Sequence, residues 1–131
     1  MANNLVRSPE SYVSLFHSGE AGNLPKPYAQ EVILFRTFIA GTSYVEGVEE
    51  LAEHLYPGDD LNLKRDPDNW VDELAVQVHT KDDVKLGFIP RIDNAVPAAL
   101  MDAGKDLFAR IADMDSREWG VLITIDVILR D

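Results

Sequence analysis

One stretch of the chain, residues 40–76, concentrates the side chains whose types suit ligand binding: AGTSYVEGVEELAEHLYPGDDLNLKRDPDNWVDELAV. Tyr44 stands between Gly41 and Gly47, and Trp70 lies in a turn rich in aspartate, asparagine and proline. Aromatic rings can stack on planar ligands, and carboxylates can accept hydrogen bonds from hydroxyl groups. The same residue types also build ordinary turns. Two interpretations of the stretch therefore stay open, a binding surface and turn chemistry.

The same two interpretations, ligand binding and turn chemistry, apply to the residues of the DPDNWVD turn. We expect Asp66 and Asn69 to bond turn backbone groups, because aspartate and asparagine do so in most loops. Asp72 suits either that role or contact with a ligand. Trp70 suits either packing back onto the core or stacking on a base.

Sequence motifs for catalysis are missing. The chain has no cysteine, no G-x-S-x-G and no Walker sequence, and GTSYVEG lacks the lysine of a phosphate-binding loop. The acidic pairs at 59–60 and 82–83 lie in turns, where acids are common. We therefore expect a protein that is not an enzyme.

Metal-ligand spacing is also missing. His17, His54 and His79 are scattered, and the glutamates of residues 46–53 lack the Glu-x-x-His spacing of a carboxylate metal helix. Those glutamates are explained by the solvated face of a helix. We expect no metal and no cofactor.

Composition predicts a single globular domain. The chain has 131 residues, of which 46% are hydrophobic and 27% are charged, so it can bury a core. The absence of cysteine fits a reducing compartment. The N-terminus lacks the layout of a signal peptide, and no apolar run approaches the roughly 20 residues of a membrane span. We expect a cytoplasmic protein without a membrane partner.

The net charge of −11 disfavours a general DNA binder, which is usually basic. The charge is uneven, however. An acidic run over residues 46–60 is followed by a basic group within the next thirty residues, namely Lys64, Arg65, Lys81, Lys85 and Arg91. A local basic patch of this kind can still hold a short anionic ligand.

Hydrophobic periodicity predicts a mainly β protein. Six strand-like segments follow one another from residue 31, and two short helices are expected near 46–55 and 94–103. The first helix places Val48, Leu51, Ala52 and Leu55 on one face, and the last strand alternates from Val121 to Leu129. This order predicts a small six-stranded β-barrel or a highly curved sheet over residues 31–131.

Residues 1–30 form a separate N-terminal appendage in this interpretation. Ser8 and Pro9 suit the start of a short helix, and GEAGNLPKP is a loop. We expect the apolar side of that helix, with Tyr12, Leu15 and Phe16, to pack onto the barrel or onto a second subunit. The chain is thus a possible homo-oligomer.

Three separated segments resemble the HIRAN domain family: AGTSYVEGVEEL, LKRDPDNWVDELAVQV and VKLGFIPR. The most specific part is the pattern R-[DE]-P-x-N-x-x-D-x-x-A-[IV], followed by a hairpin and G-[YFH]-[IL]-[PK]. The resemblance spans roughly residues 31–129. It implies an OB-fold-like barrel, a fold that commonly binds oligonucleotides.

The resemblance also implies a ligand, the free 3′-hydroxyl end of single-stranded DNA. By position, Tyr44 matches a stacking tyrosine, Asp72 matches the acceptor of the 3′-hydroxyl, and Arg91 matches a lysine that contacts the DNA backbone. Phe88 is an aromatic residue nearby, and Lys64 and Arg65 are candidate phosphate contacts.

Two positions depart from the family pattern. Ser43 stands where a basic residue usually precedes the tyrosine, and Val71 replaces the second stacking aromatic. Trp70 is the candidate substitute for that ring. Two functions therefore remain open, a stand-alone module for single-stranded DNA ends in repair or replication, and a protein-interaction module that has lost DNA binding.

Overall fold

The computed structural model describes residues 30–131, so the predicted N-terminal appendage of residues 1–30 lies outside the described residues except for Gln30. Six strands form one sheet in which every neighbouring pair is antiparallel. The strands are β1 (Glu31–Phe38), β2 (Asp60–Arg65), β3 (Val76–His79), β4 (Lys85–Phe88), β5 (Asp106–Arg117) and β6 (Gly120–Arg130).

The sheet curves until its two ends approach each other. The strand order is β1-β6-β5-β2-β3-β4, and an isolated bridge joins Ala40, just after β1, to Phe88 at the end of β4. Gly87 permits this approach, because a Cβ at that position would overlap the carbonyl oxygen of Ala40. The prediction of a mainly β, OB-fold-like curved sheet is confirmed, in the form of a half-barrel with two short helices.

The core fills the concave side of the sheet. The alternation predicted for the last strand is confirmed from Val121 to Val127, where every second residue is buried. Leu61, Val76, Val78 and Leu86 add side chains from the other strands. Burial of this apolar surface is the main force that holds the six strands together.

Both predicted helices are present but shorter than expected. Helix α1 spans Val48–Ala52 and follows a 3-10 turn at Thr42–Tyr44, and α2 spans Ala95–Asp102. Val48 of α1 is buried, and its predicted partners Leu51, Ala52 and Leu55 pack partly buried against the core.

One element of the predicted alternation is wrong. The segment ELAVQVHT alternates Leu74, Val76 and Val78, which predicts one buried face for the three, but Leu74 is exposed. The backbone N–H of Ala75 bonds the carbonyl of Asp72, so residues 72–75 form a turn and β3 begins only at Val76. The turn chemistry of the aspartate overrides the apolar pattern there. In residues 30–131, no helix is long and apolar enough to cross a membrane.

Candidate nucleic-acid interface

The loop between β2 and β3 is held in shape by Asn69. Its side-chain oxygen accepts hydrogen bonds from the backbone N–H groups of Val71, at 3.0 Å, and Asp72, at 3.1 Å. Its side-chain amide donates to Asp66, which also accepts a bond from Gln77. The prediction that Asn69 bonds turn backbone groups is confirmed. The same prediction is wrong for Asp66, whose carboxylate accepts hydrogen bonds from the side chains of Asn69 and Gln77.

Asp72 is fixed at the end of this loop by two donors. The backbone N–H of Leu74 donates to Oδ1 at 3.0 Å, and the side-chain amide of Asn94 donates to Oδ2 at 2.8 Å. The Nε atom of Arg91 lies 3.7 Å from the same Oδ2. Each carboxylate oxygen can accept more than one hydrogen bond, so acceptor capacity remains for a ligand.

These contacts keep Asp72 ionised. The hydrogen bond from the Leu74 N–H, then the bond from Asn94, and then the positive charge of Arg91 lower the pKa of Asp72 below its ordinary value. Hydrogen bonds to a carboxylate favour its charged form. Near neutral pH, the group is therefore a negatively charged acceptor, suited to a hydroxyl and unsuited to a second anion.

Asp72 borders a cavity of about 350 Å³. Phe88, Val71 and Ile89 supply apolar wall, while Arg91 and Asn94 supply polar groups. The structure thus brings together three residues singled out from the sequence, Asp72, Phe88 and Arg91. An apolar pocket with a few convergent polar groups is the usual form of a small-ligand site.

Tyr44 does not line this cavity. It ends the 3-10 turn that begins two residues after Ala40, a residue of the cavity wall, and its ring is 92% exposed. Gly41, with φ of 82°, starts this turn. Tyr44 is therefore an exposed aromatic residue on a turn that closely follows a residue of the cavity wall.

Trp70 is 95% exposed, so the alternative of packing onto the core is wrong. It precedes Val71 in the loop that borders the cavity, but it does not line the cavity itself. Contiguous exposed apolar patches mark interaction sites, and Trp70 is followed directly by Val71, which is also exposed. Its stacking role stays a prediction.

Lys64 and Arg65 lie outside the cavity lining. Arg65 bonds Asp102 at 2.9 Å and the backbone carbonyls of Glu73 and Ala75 at 3.0 and 2.6 Å. Its guanidinium is thus engaged in fastening the loop and α2 to β2. Lys64 forms an exposed ion pair with Asp83. Their contact with phosphate stays a prediction.

One residue of the site, Asn94, was missed from the sequence. It is 2% exposed and orients Asp72. Lys85, a member of the basic group named from the sequence, places its Nζ 4.2 Å from the centre of the Phe88 ring. Asn94 directly precedes α2, so it looks like an ordinary helix-capping residue. Its side chain makes no capping bond, and only the tertiary structure shows that it turns to Asp72.

The described residues 30–131 contain no group of three or more histidine, cysteine, aspartate or glutamate side chains able to hold a metal ion. The polar residues that line the Asp72 cavity are Asn69, Asp72, Arg91 and Asn94.

A curved antiparallel sheet with an open pocket beside its loops is the architecture of a small binding module. The model of the HIRAN domain family matches residues 32–127, and the chain belongs to this family. HIRAN domains are known as nucleic-acid-binding modules rather than catalytic domains. The resemblance inferred from the sequence is confirmed.

Two solved structures are similar to this chain. A protein from Lactobacillus plantarum shares 26% identity with a TM-score of 0.73, over 79% of this chain and 98% of that one. The HIRAN domain of human HLTF shares 16% identity with a TM-score of 0.60, over 76% of this chain and 78% of that one. The second likeness supports the fold alone. A comparison with curated proteins found no match.

Proposed function

We propose that this protein binds the 3′ end of single-stranded DNA and recognises its free 3′-hydroxyl at Asp72, in support of a repair or replication enzyme. The observation that carries the proposal is the ionised carboxylate of Asp72, oriented by Leu74 and Asn94 at the edge of an apolar cavity. The terminal hydroxyl donates to this carboxylate. The sugar and base of the last nucleotide contact Val71 and Phe88.

Arg91 suits the first internal phosphate. Its side chain is 73% exposed and its Nε is 3.7 Å from Asp72, so the remaining guanidinium N–H groups are open to a phosphate next to the terminal sugar. The guanidinium also offsets the charge of Asp72, which would otherwise repel the DNA backbone. The cation of Arg91 suits one phosphate, and the anion of Asp72 suits a hydroxyl. The pair therefore favours a strand end over a continuous strand.

Tyr44 supplies stacking in this proposal. A base placed on its exposed ring gains about 1–3 kcal/mol, and stacking of this kind is tolerant of sequence. The protein would then read the chemistry of the strand end and would be indifferent to the base.

The test compares two labelled oligonucleotides of identical sequence, one ending in 3′-hydroxyl and one in 3′-phosphate, by fluorescence anisotropy. The phosphorylated end should bind about tenfold or more weakly, because like charges at contact distance are strongly unfavourable. Equal affinity would remove Asp72 from its role. Failure of both oligonucleotides to bind at low salt would favour the interaction module that has lost DNA binding.

The stacking step has its own matched pair of variants. Tyr44→Ala should weaken binding of the 3′-hydroxyl oligonucleotide by about 1–3 kcal/mol. Tyr56→Ala removes another exposed tyrosine, which does not line the Asp72 cavity, and should leave binding unchanged. An equal effect of the two substitutions would contradict stacking on Tyr44.

A further inference from the structure

A second groove, of about 530 Å³, lies between the α1 segment, defined as residues 49–57 in and after α1, and the end of the β5–β6 hairpin. It shares no lining residue with the Asp72 cavity. Ala52, Leu55, Met114 and Val121 give it an apolar floor. Val121 is buried and the other three are partly buried against the core. The floor is thus firmly packed, and its volume falls in the range of roughly 300–1,000 Å³ typical of ligand sites.

One wall of the groove is the end of the β5–β6 hairpin, with residues 114–117 of β5 and residues 120–121 of β6. Strand β2 pairs with β5 only from Phe108 to Arg110. Ile111 makes the last backbone bonds on that side: its N–H donates to the carbonyl of Asp59, and its carbonyl accepts from the N–H of Gly58. Within residues 30–131, the continuation of β5 from Asp113 to Arg117 pairs with β6 alone. Because alternate residues of an antiparallel strand direct their backbone groups away from the partner, this continuation offers donors and acceptors to the groove.

The other wall carries negative charge and an aromatic ring. Glu49 and Glu53 of the α1 segment are exposed at the groove, and Tyr56 is 64% exposed beside them. Asp115 on β5 is paired with Arg117 at 2.9 Å, so those two charges offset each other. The excess charge of the groove is therefore that of the two glutamates.

We propose that this groove binds an extended, lysine- or arginine-containing segment of a partner protein, which adds as a strand beside Asp113–Arg117. Strand addition takes its affinity from main-chain hydrogen bonds and its specificity from pockets for alternate side chains. Here apolar side chains of the partner contact Leu55 and Met114. Cationic side chains between them meet Glu49, Glu53 and the ring of Tyr56, which attracts cations as well.

A second copy of this chain fits the groove less well. The chain carries a net charge of −11, and the long-range field between two such chains is repulsive. The same field attracts a basic segment. Charge therefore selects a basic partner over a second copy of this chain.

The experiment measures binding of a short labelled peptide of alternating lysine and valine to the full chain by fluorescence anisotropy. Glu49→Gln/Glu53→Gln is the test variant. Glu46→Gln/Glu50→Gln is the matched control, because it removes the same charge from the same region without altering a lining residue. The test variant should bind roughly three- to tenfold more weakly, from two exposed charge pairs, and the control should bind as the parent protein does.

Two further probes separate strand addition from charge attraction. A peptide of alternating glutamate and valine should not bind, and a lysine–valine peptide with a central proline should bind more weakly, because proline lacks the N–H of a strand. Equal binding of the proline peptide, or an equal loss in both double variants, would overturn the proposal.

Sedimentation of the protein alone tests whether a second copy of this chain occupies the groove. A single species of monomer mass supports an open groove, whereas self-association that Glu49→Gln/Glu53→Gln abolishes would assign the groove to a second copy and overturn the proposal. Binding of the 3′-hydroxyl oligonucleotide should be the same in both double variants, so this groove and the Asp72 cavity are tested separately.

Discussion

Asn94 donates a hydrogen bond of 2.8 Å to the carboxylate of Asp72, across 22 positions of sequence. The bond joins the residue before α2 to the loop between β2 and β3. Because Asn94 is 2% exposed, its side chain has few alternative positions. The direction of the Asp72 carboxylate is therefore set by the fold, before any ligand arrives.

Asn94→Ala should lower both stability and DNA-end affinity. A buried donor to a charged acceptor is worth about 1.5–3 kcal/mol, so the free energy of unfolding in urea should fall by a value in that range. Asn62→Ala is the control. Within residues 30–131 the Asn62 side chain makes one long contact, of 3.4 Å, with Lys81, and its loss should cost well under 1 kcal/mol. Similar losses would show that the bond to Asp72 contributes little.

Acid should destabilise the protein through its bonded aspartates. The pKa of Asp66 is lowered by bonds from Asn69 and Gln77, and that of Asp72 by the Leu74 N–H and Asn94. A carboxyl whose folded pKa is lowered contributes stability that is complete above its unfolded pKa, about 3.9 for aspartate, and is lost as the pH falls through the folded value.

The urea concentration at the unfolding midpoint should therefore change little in response to these groups between pH 7 and 5. At pH values below about 4, the midpoint should decrease. Asp72→Asn removes one of these carboxylates. The stability gap between the parent protein and this variant should narrow as the pH falls. A gap that widens on acidification would contradict the lowered pKa of Asp72.

Arg91→Ala should weaken DNA binding and flatten its salt dependence. Each phosphate neutralised on a single strand contributes about −0.7 to the slope of log affinity against log salt, so loss of Arg91 should reduce the slope by about that amount. Arg117→Ala removes the same charge outside the Asp72 cavity and should leave the slope unchanged. An equal slope in the two variants would show that Arg91 does not contact a phosphate.

Gly87→Ala should open the closure of the half-barrel. The added Cβ would overlap the Ala40 carbonyl oxygen and disturb the bridge to Phe88, at a cost of about 2 kcal/mol or more. Gly47→Ala is the control, because its φ of 75° makes alanine strained but nothing lies near the new Cβ, so about 1–2 kcal/mol is expected. Urea unfolding measures both, and an equal loss would contradict the close contact.

The fold was predictable because its signals are local. Every second residue from Val121 to Val127 is apolar and buried, and the Pro57–Gly58 pair falls in the turn between α1 and β2. The site was predictable only in part. Asp72, Phe88 and Arg91 line one cavity, as the sequence predicted. Hydrophobic periodicity, however, does not show which polar residues come into contact in the folded chain.

The unpredicted features are long-range contacts. Arg65 resembles any exposed strand arginine in sequence, yet its side chain fastens the loop carbonyls of Glu73 and Ala75. Asn94 resembles a helix cap and acts on Asp72 instead. Among the described residues, the side of β5 left unpaired beyond Ile111 depends on where β2 begins beside it, which the β5 sequence does not encode.

The central claim is that Asp72 reads the strand end, and the affinity ratio between 3′-hydroxyl and 3′-phosphate oligonucleotides tests it most directly. The parent protein should prefer the hydroxyl end by about tenfold or more. Asp72→Asn keeps a polar group of similar size but removes the charge, so the ratio should fall toward one. A ratio in Asp72→Asn as large as in the parent protein would contradict the account.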